Sequence, residues 1–317
     1  MQGSKFGSRQ HSTAQESSFV NSEVPVWRSL LYVPTHMEKF VSKAHSRGAD
    51  AIILDLEDAV PLEQKEYARS VVQDAAIQVS QSGADVIVRI NRPLSLAVRD
   101  VEAAVSSAVK ALSLPKVESA AQIQLLDELV SEVEVKHGMP VGQTRFLVLI
   151  ESALGLSLMA EIAAASPRVV AMTIGGEDLS ADIGMESGED TLFLPKQMMI
   201  QACARAGIMP IGVIGAIASL DDGDAYLNMA KRSRRFGYVG ASCVHPKQVP
   251  VLNQAFTPDD DEFDYATRVV EKAAEAEKAG KGAIVVDGKM IDAPVVTRAR
   301  NTLARKAAIE ARSAKQD

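Results

Sequence analysis

The feature that most narrows the fold is a rhythm. Short apolar runs recur about every 30 residues, and each is followed by a segment whose apolar residues keep helical spacing. Eight such runs are legible, over Arg28–Pro34, Ala51–Asp58, Asp85–Asn91, Ala111–Val117, Phe146–Ile150, Val169–Ile174, Met209–Ile214 and Tyr238–Val244. Runs without polar alternation predict strands buried on both faces, and intervening helices make their sheet parallel. Eight units of this kind in about 220 residues match a (β/α)8 TIM barrel, whose usual length is about 250 residues. A doubly wound open sheet is the alternative, but no GxGxxG follows the first strand and no P-loop occurs.

Between the runs the helix signals are specific. Glu38–Ser46 reads as a helix closed by Gly48, and Pro61 opens another that draws apolar positions from Val71, Val72, Ala75 and Ile77. Val98, Val101, Val105 and Ala108 make a third face. Ser119 with Gln122 predicts a capping box ahead of Ile123, Leu126, Leu129 and Val133. Leu154, Leu158 and Ile162 predict one amphipathic helix, and further helices are expected over Leu194–Ala206 and Ala225–Arg234.

The rhythm covers only part of the chain. Residues 1–26 are rich in Ser and Gln, lack the apolar stretch of a secretory signal, and read as a disordered leader. The barrel is expected over 27–256. From 257 to 317 the pattern changes to an acidic helix start, an Ala/Glu/Lys-rich helix to about Lys278, a hairpin-like stretch over Gly280–Pro294 and a basic final helix. A tail that is neither repeat nor disordered is a natural lid or intersubunit arm.

Composition removes several function classes. A net charge of −7 with no basic stripe argues against a nucleic-acid partner. No apolar run reaches membrane-spanning length. The two cysteines form no CxxC, and the five histidines never approach zinc-site spacing, which fits a reducing, cytoplasmic setting.

The chemistry converges on residues 146–180. Glu151 directly follows one apolar run, and Asp178 follows the next and its Gly175-Gly176 pair, with a helical segment between. That places both carboxylates at the same end of neighbouring parallel strands, the end at which such folds bind ligands. Asp55, Glu57, Asp58, Arg89 and Lys116 belong to the same end.

Each has a plain structural reading. Arg89 is expected to pair with an acid of the second strand, Lys116 to snorkel, Asp178 to cap a helix beginning at Leu179, and the glycines to make a turn with positive φ. Taken together, the acids repel one another unless a cation sits among them. Carboxylates without cysteine or paired histidine select a hard ion, most simply Mg2+. Arg89 then suits a carboxylate or a developing enolate oxygen, and the amides of Gly175 and Gly176 suit an acid's carboxylate.

The motifs RSLLYVP, GADAIILDLEDAV, VRIN, LPKVES, IESALGL, GGEDLSADIG and GKMIDAP occur in that order. Together they resemble the citrate lyase β-subunit-like family, which belongs with the HpcH/HpaI aldolases and the malyl-CoA and citramalyl-CoA lyases. The resemblance covers Arg28 to about Leu303. It implies a Mg2+-dependent TIM barrel that makes or cleaves a carbon–carbon bond beside a CoA thioester.

The resemblance also implies roles for single residues. Glu151 and Asp178 are metal ligands, and Glu151 also lies against substrate. Arg89 binds the oxo acid and steadies the thioester enolate. Glu57 and Asp58 support the metal's waters. Asp292 is an acid/base carried on a C-terminal lid that closes over a neighbouring subunit's site in a homo-oligomer, a trimer or hexamer. Arg28 and Lys39 belong to the part that meets CoA phosphates.

The expected reaction is cleavage of a 3-hydroxy dicarboxylyl-CoA, such as citramalyl-CoA or malyl-CoA, to acetyl-CoA and a 2-oxo acid. The alternatives are a malyl-CoA thioesterase, a class II aldolase acting on free 4-hydroxy-2-oxo acids, and a citrate lyase β subunit that works only within an acyl-carrier complex.

Overall fold

Eight parallel strands make the central sheet: β1 (Ser29–Pro34), β2 (Ala51–Asp55), β3 (Asp85–Arg89), β4 (Ala111–Leu114), β5 (Arg145–Ile150), β6 (Val169–Ile174), β7 (Met209–Pro210) and β8 (Ala241–Cys243). They come from a computed structural model, which describes residues 25–215, 223–279 and 284–314. The leader expected over 1–26 therefore lies, up to residue 24, outside the described residues, as do residues 280–283 of the hairpin-like stretch. Strand order is β7-β6-β5-β4-β3-β2-β1-β8. The outer two strands meet through a parallel bridge between Ile211 and Gly240. There the Gly212 N–H donates to the Gly240 carbonyl at 2.8 Å and the Val239 N–H to that of Pro210 at 3.1 Å. The sheet thus curls into a TIM-barrel fold.

The helices of the repeat are α1 (Glu38–Ala44), α2 (Lys65–Val79), α3 (Leu94–Ala104), α4 (Ala120–Lys136), α5 (Ala153–Ser157), α6 (Met159–Ala163), α7 (Gly176–Ile183), α8 (Glu189–Ala206), α9 (Gly223–Phe236) and α10 (Gln248–Ala255). Successive side chains of a strand face opposite ways, and the two faces bury into different cores. Leu30, Ile53, Ile87, Leu147 and Leu149 fill the barrel interior. Ile52, Leu54, Val86, Val88, Leu112 and Val148 pack outward against the helices. Burial on both faces is why these strands read as continuous apolar runs.

Several expectations need correction. The seventh and eighth strands are much shorter than the runs that signal them. Gly212, at φ 144°, leaves extended geometry, and Pro210 offers no N–H to a ladder. The segment after β5 is two short helices, not one, because Leu158 at φ −108° and ψ 10° interrupts it; Leu154 is exposed and Ile162 is buried. Helix α8 begins at Glu189, ahead of the expected Leu194, and carries Pro195 in its interior. Ile77 is 59% exposed and contributes nothing to the core. The Ser119 cap is present, but the Gln122 side chain reaches back to the amide of Glu118.

Beyond the repeat lie α11 (Asp260–Lys278), a hairpin of β9 (Ile284–Val286) and β10 (Lys289–Ile291), and α12 (Ala293–Ser313). Asp259 and Glu262 form a capping box at the start of α11, which accounts for the acidic run there. Ala266, Val269, Val286, Ile291 and Ala299 form a separate small core joining these elements. The far half of α12 lies on the end of the barrel where the strands begin. Arg305 donates to the Val239 carbonyl at 2.8 Å. Arg312 donates to Asp85 Oδ2 at 3.1 Å and the Gly83 carbonyl at 3.0 Å, and it also bonds the Asp50 carbonyl.

Candidate active site

Asp55, the last residue of β2, organises the charges at the opposite end of the barrel. Its Oδ1 accepts from the Glu57 amide at 2.9 Å and its Oδ2 from the Ala59 amide at 3.1 Å, so the turn after the strand is built on this carboxylate. The same two oxygens take a forked pair of bonds from Arg89, the last residue of β3, at 2.8 and 2.6 Å. Parallel register sets Asp55 directly opposite Arg89. The guanidinium also lies 3.0 Å from Glu57 and 3.3 Å from Asp58, and 5.0 Å above the ring of Tyr32. Burial opposes its charge, yet the pairing with Asp55 outweighs this and holds Arg89 protonated. Burial beneath these charges raises the pKa of the Tyr32 phenol.

Lys116 links this cluster to β5. Its ammonium donates to Glu57 Oε1 at 2.9 Å and lies 3.7 Å from Asp58. Burial opposes that charge too, but the Glu57 hydrogen bond and the surrounding acids raise the lysine's pKa above its ordinary value. The Lys116 backbone N–H donates to Glu151 Oε2 at 2.8 Å. Lys116 holds φ 51°, one of two non-glycine residues among those described in the left-handed region.

Glu151 is buried, and its pKa is pushed up to about 7. Loss of water is the main cause; Glu57 and Asp178 add to it, and the Lys116 amide works against it. Glu57 is raised likewise, chiefly by burial. Gly175 makes room for Glu151: a Cβ there would lie 2.3 Å from Oε1 and 2.5 Å from Cγ.

Asp178 sits in the first turn of α7. Helix α7 begins at Gly176, so Asp178 does not cap a helix starting at Leu179. It is exposed, and it has no hydrogen-bonded or ion-paired partner among the described residues.

Most sequence-derived candidates therefore meet. Glu57, Asp58, Arg89, Lys116 and Glu151 form one contact chain, and Asp178 lies close enough to act on both Glu151 and Lys116. The glycines act differently from expectation. Gly175 has φ −79°, not a positive value, and its N–H is bound to the Ile150 carbonyl at 3.0 Å, so that amide is not free for substrate. A Cβ on Gly176 would meet the end of the Leu192 side chain at 2.8 Å.

Arg28 is misplaced in the sequence reading. It precedes β1 at the far end of the barrel, forked onto Asp50 at 2.8 Å and bonded to Thr257 at 3.1 Å. Lys39 is on the correct end, in α1 just after β1. There it lines a cavity of about 590 Å³ with Tyr32, Phe40, Lys43, Arg47 and Lys247. Asp292 caps α12, accepting from the Val295 amide at 3.3 Å.

Sequence reasoning missed Tyr32 as the platform under Arg89, although its place two residues before the end of β1 puts it at the mouth. It also missed Lys196, buried mid-helix in α8 and bonded to the carbonyls of Ile214 and Gly215 at 3.0 and 3.1 Å. No local signal separates Lys196 from an exposed helical lysine.

The donors suit a hard cation. Two carboxylates converge, Glu151 packed against the space Gly175 leaves and Asp178 without a hydrogen-bonded or ion-paired partner among the described residues. Among the described residues no group of three or more His, Cys, Asp or Glu forms a closed cage. Mg2+ is commonly held by one or two carboxylates, with water and substrate oxygens completing its shell.

A profile of the HpcH/HpaI aldolase/citrate lyase family matches residues 28–246. The chain belongs to this family. Among HpcH/HpaI relatives, citrate lyase subunit beta of Leuconostoc mesenteroides subsp. cremoris is 32% identical over 280 residues, covering 87% of this chain and 92% of that protein. A (3S)-malyl-CoA thioesterase of Cereibacter sphaeroides is 33% identical over 288 residues, covering 90% and 96%. The CitE protein of Mycobacterium tuberculosis, solved with magnesium, acetoacetate and coenzyme A, superposes with a TM-score of 0.70 at 29% identity, covering 90% of this chain and 99% of that one. Family membership makes this chain one of a group of lyases and aldolases. No helix among the described residues is long and apolar enough to cross a membrane.

Proposed function

We propose that the chain is a Mg2+-dependent carbon–carbon lyase that cleaves a 3-hydroxy dicarboxylyl-CoA thioester, of the citramalyl-CoA or malyl-CoA type, to acetyl-CoA and a 2-oxo acid. The observation that carries this reading is the convergence of Glu151, Asp178 and the Asp55-held Arg89 at the carboxyl ends of β2, β3, β5 and β6. Magnesium in the CitE crystals and the CoA thioester named for the Cereibacter relative support it.

Glu151 and Asp178 would hold the ion, which when bound polarises a substrate oxygen and anchors the 2-oxo acid. The chain's own residues account for the rest. Glu57 and Asp58 would support the ion's waters, with Glu57 held in place by Lys116 and Arg89. Arg89, fixed by Asp55 and stacked on Tyr32, is a permanent cation that does not need to reorganise as an enolate oxygen gains charge. The cavity beside α1 supplies Lys39, Lys43, Arg47 and Lys247 for phosphates, with Phe40 at its edge for an adenine face.

Asp292 is the acid that protonates the enolate carbon, delivered by a second copy of the chain. Within one chain α12 is tied to the opposite end of the barrel through Arg305 and Arg312, and no described contact joins Asp292 to the strand mouths. That arrangement favours a homo-oligomer.

The likeness to a malyl-CoA thioesterase favours a second reading, in which water intercepts the thioester after cleavage or in its place. One panel separates the readings: citramalyl-, malyl- and citryl-CoA, each with and without Mg2+, followed for acetyl-CoA and for free CoA. Acetyl-CoA with a 2-oxo acid supports the lyase, and free CoA supports the thioesterase. No turnover of any soluble thioester by folded protein removes both and leaves a subunit of an acyl-carrier complex.

A further inference from the structure

At the far end of the barrel from the carboxylates, a cavity of about 410 Å³ lies between the end of α9, the start of α11 and one face of α12. Its lining carries four guanidinium groups, Arg234 and Arg235 from the last turn of α9 and Arg298 and Arg305 from α12, beside one carboxylate, Glu262, and the neutral Asn301 and Thr302. Arg298 and Arg305 are seven residues apart, two helical turns, and so share a face. The opposite walls are apolar, with Met209, Tyr238, Val239, Phe256 and Pro258.

Four arginines on a surface need not mean anything. Basic residues in a helix's last turn complement its dipole, and Arg234 has an acid, pairing with Glu262 at 2.6 Å. The other three differ. Arg235, Arg298 and Arg305 have no carboxylate partner among the described residues. Arg305 is half-buried and makes a single hydrogen bond, to the Val239 carbonyl, which leaves most of its five donors directed elsewhere. Burial, with Arg28 nearby, pushes its pKa down to about 10 despite the attraction of Asp50. No Arg305 nitrogen is buried without a partner, so its unbonded N–H groups are open, and the cavity beside it carries three further arginines against one carboxylate, Glu262.

We infer that this cavity is a binding site for a small multivalent anion, a phosphate or carboxylate ester or acid with an apolar portion, distinct from the site at the strand mouths. Forked guanidinium pairs recognise both phosphate and carboxylate, and the apolar wall opposite them suits a carbon skeleton. Such a ligand bridges α9 to α12. It would therefore fix the helix that carries Asp292 at its other end.

The test uses the full chain without Mg2+, titrated calorimetrically at constant ionic strength with pyrophosphate and, separately, with tricarballylate. The variants are R235A/R298A, at two exposed positions, and K39A/K43A in the cavity beside α1. Binding of either probe that weakens at least tenfold in R235A/R298A and stays within twofold in K39A/K43A supports the site, and the stronger probe tells phosphate from carboxylate. Binding carried wholly by Lys39 and Lys43 overturns it, as does an effect that sodium chloride reproduces at equal ionic strength. Light scattering supplies the remaining outcome. If R235A/R298A alters the molecular mass while probe binding is unchanged or absent, the arginines face an acidic surface of a second copy and the anion site is wrong.

Discussion

The backbone N–H of Lys116 holds Glu151 Oε2 at 2.8 Å, from a residue whose own φ is 51°. A left-handed lysine costs about 1 kcal/mol relative to glycine, and the strain aims one amide at the carboxylate while the ammonium turns to Glu57. Two demands on one residue, an amide in one direction and a side chain in another, are met by an unusual backbone angle.

Replacing that residue separates the two demands. Lys116→Gly relieves the backbone and removes the charge, whereas Lys116→Ala removes the charge alone. Lys116→Gly is therefore expected to be about 1 kcal/mol more stable than Lys116→Ala in urea denaturation. Equal stability of the two variants would show that the angle carries no strain.

Gly175→Ala is expected to fold, because φ −79° suits alanine. Its Cβ, however, needs the volume that Glu151 Oε1 and Cγ occupy. Displacing that carboxylate by about an ångström is expected to lower kcat on the order of 10²-fold and to weaken Mg2+ binding, with the circular dichroism unchanged. Full activity in this variant would mean that Glu151 does not need its present position.

Asp178→Ala is expected to abolish both Mg2+ dependence and turnover while leaving thermal stability nearly unchanged, since Asp178 has no protein partner to lose among the described residues. Direct Mg2+ titration of folded protein provides the check. Retained binding would take Asp178 out of the metal site.

Mixing experiments address the lid. Asp292→Ala and Glu151→Gln chains are each expected to be inactive, and a refolded mixture is expected to recover activity, because some mouths would pair an intact Glu151 with another chain's intact Asp292. A mixture as inactive as its components would exclude a shared site.

A fourth region gives a pH dependence free of the site. Arg168 and Glu134 are buried together at 2.7 Å, with the amides of Thr144 and Gly142 also donating to Glu134. Burial works against the carboxylate's charge, but the Arg168 hydrogen bond and these amides hold its pKa below the usual 4.5. A depressed folded pKa contributes stability that is present above pH 4.5 and is lost as pH falls through the folded value. Arg168 keeps Asp127 as a partner, so Glu134→Gln is expected to cost about 2 kcal/mol at pH 7, the scale of hydrogen bonds to a charged group, and progressively less below pH 4.5. A difference that does not shrink in acid would sink this assignment.

Much of the barrel was legible because both faces of each strand are buried, which leaves a run such as Ala51–Leu54 with no polar residue to obscure it. The shortest strands were least legible. The runs around Pro210 and Ser242 are as apolar as the others, but a missing N–H and the angle at Gly212 end the ladder early. Glu151 was legible because it directly follows an apolar run. Arg28 was legible too, since a residue that opens a run sits at the amino end of its strand; the family resemblance, not its position, put it with the CoA phosphates. Lys116 as an amide donor could not be read, since a backbone angle of 51° leaves no mark in the residue type.

The closure between Pro210 and Gly240 has a kinetic meaning. Elsewhere around the ring neighbouring strands are stitched over two to five paired positions, whereas β7 and β8 are not directly paired and meet through one bridge and the two amides of Gly212 and Val239. A ring held by one short clasp opens there first, so these amides should exchange with solvent well before those of β2 or β5. The barrel is better pictured as a coiled strip with a latch than as a uniform cylinder. The latch involves only β7 and β8, so opening it need not disturb β5, whose carboxyl end holds Glu151.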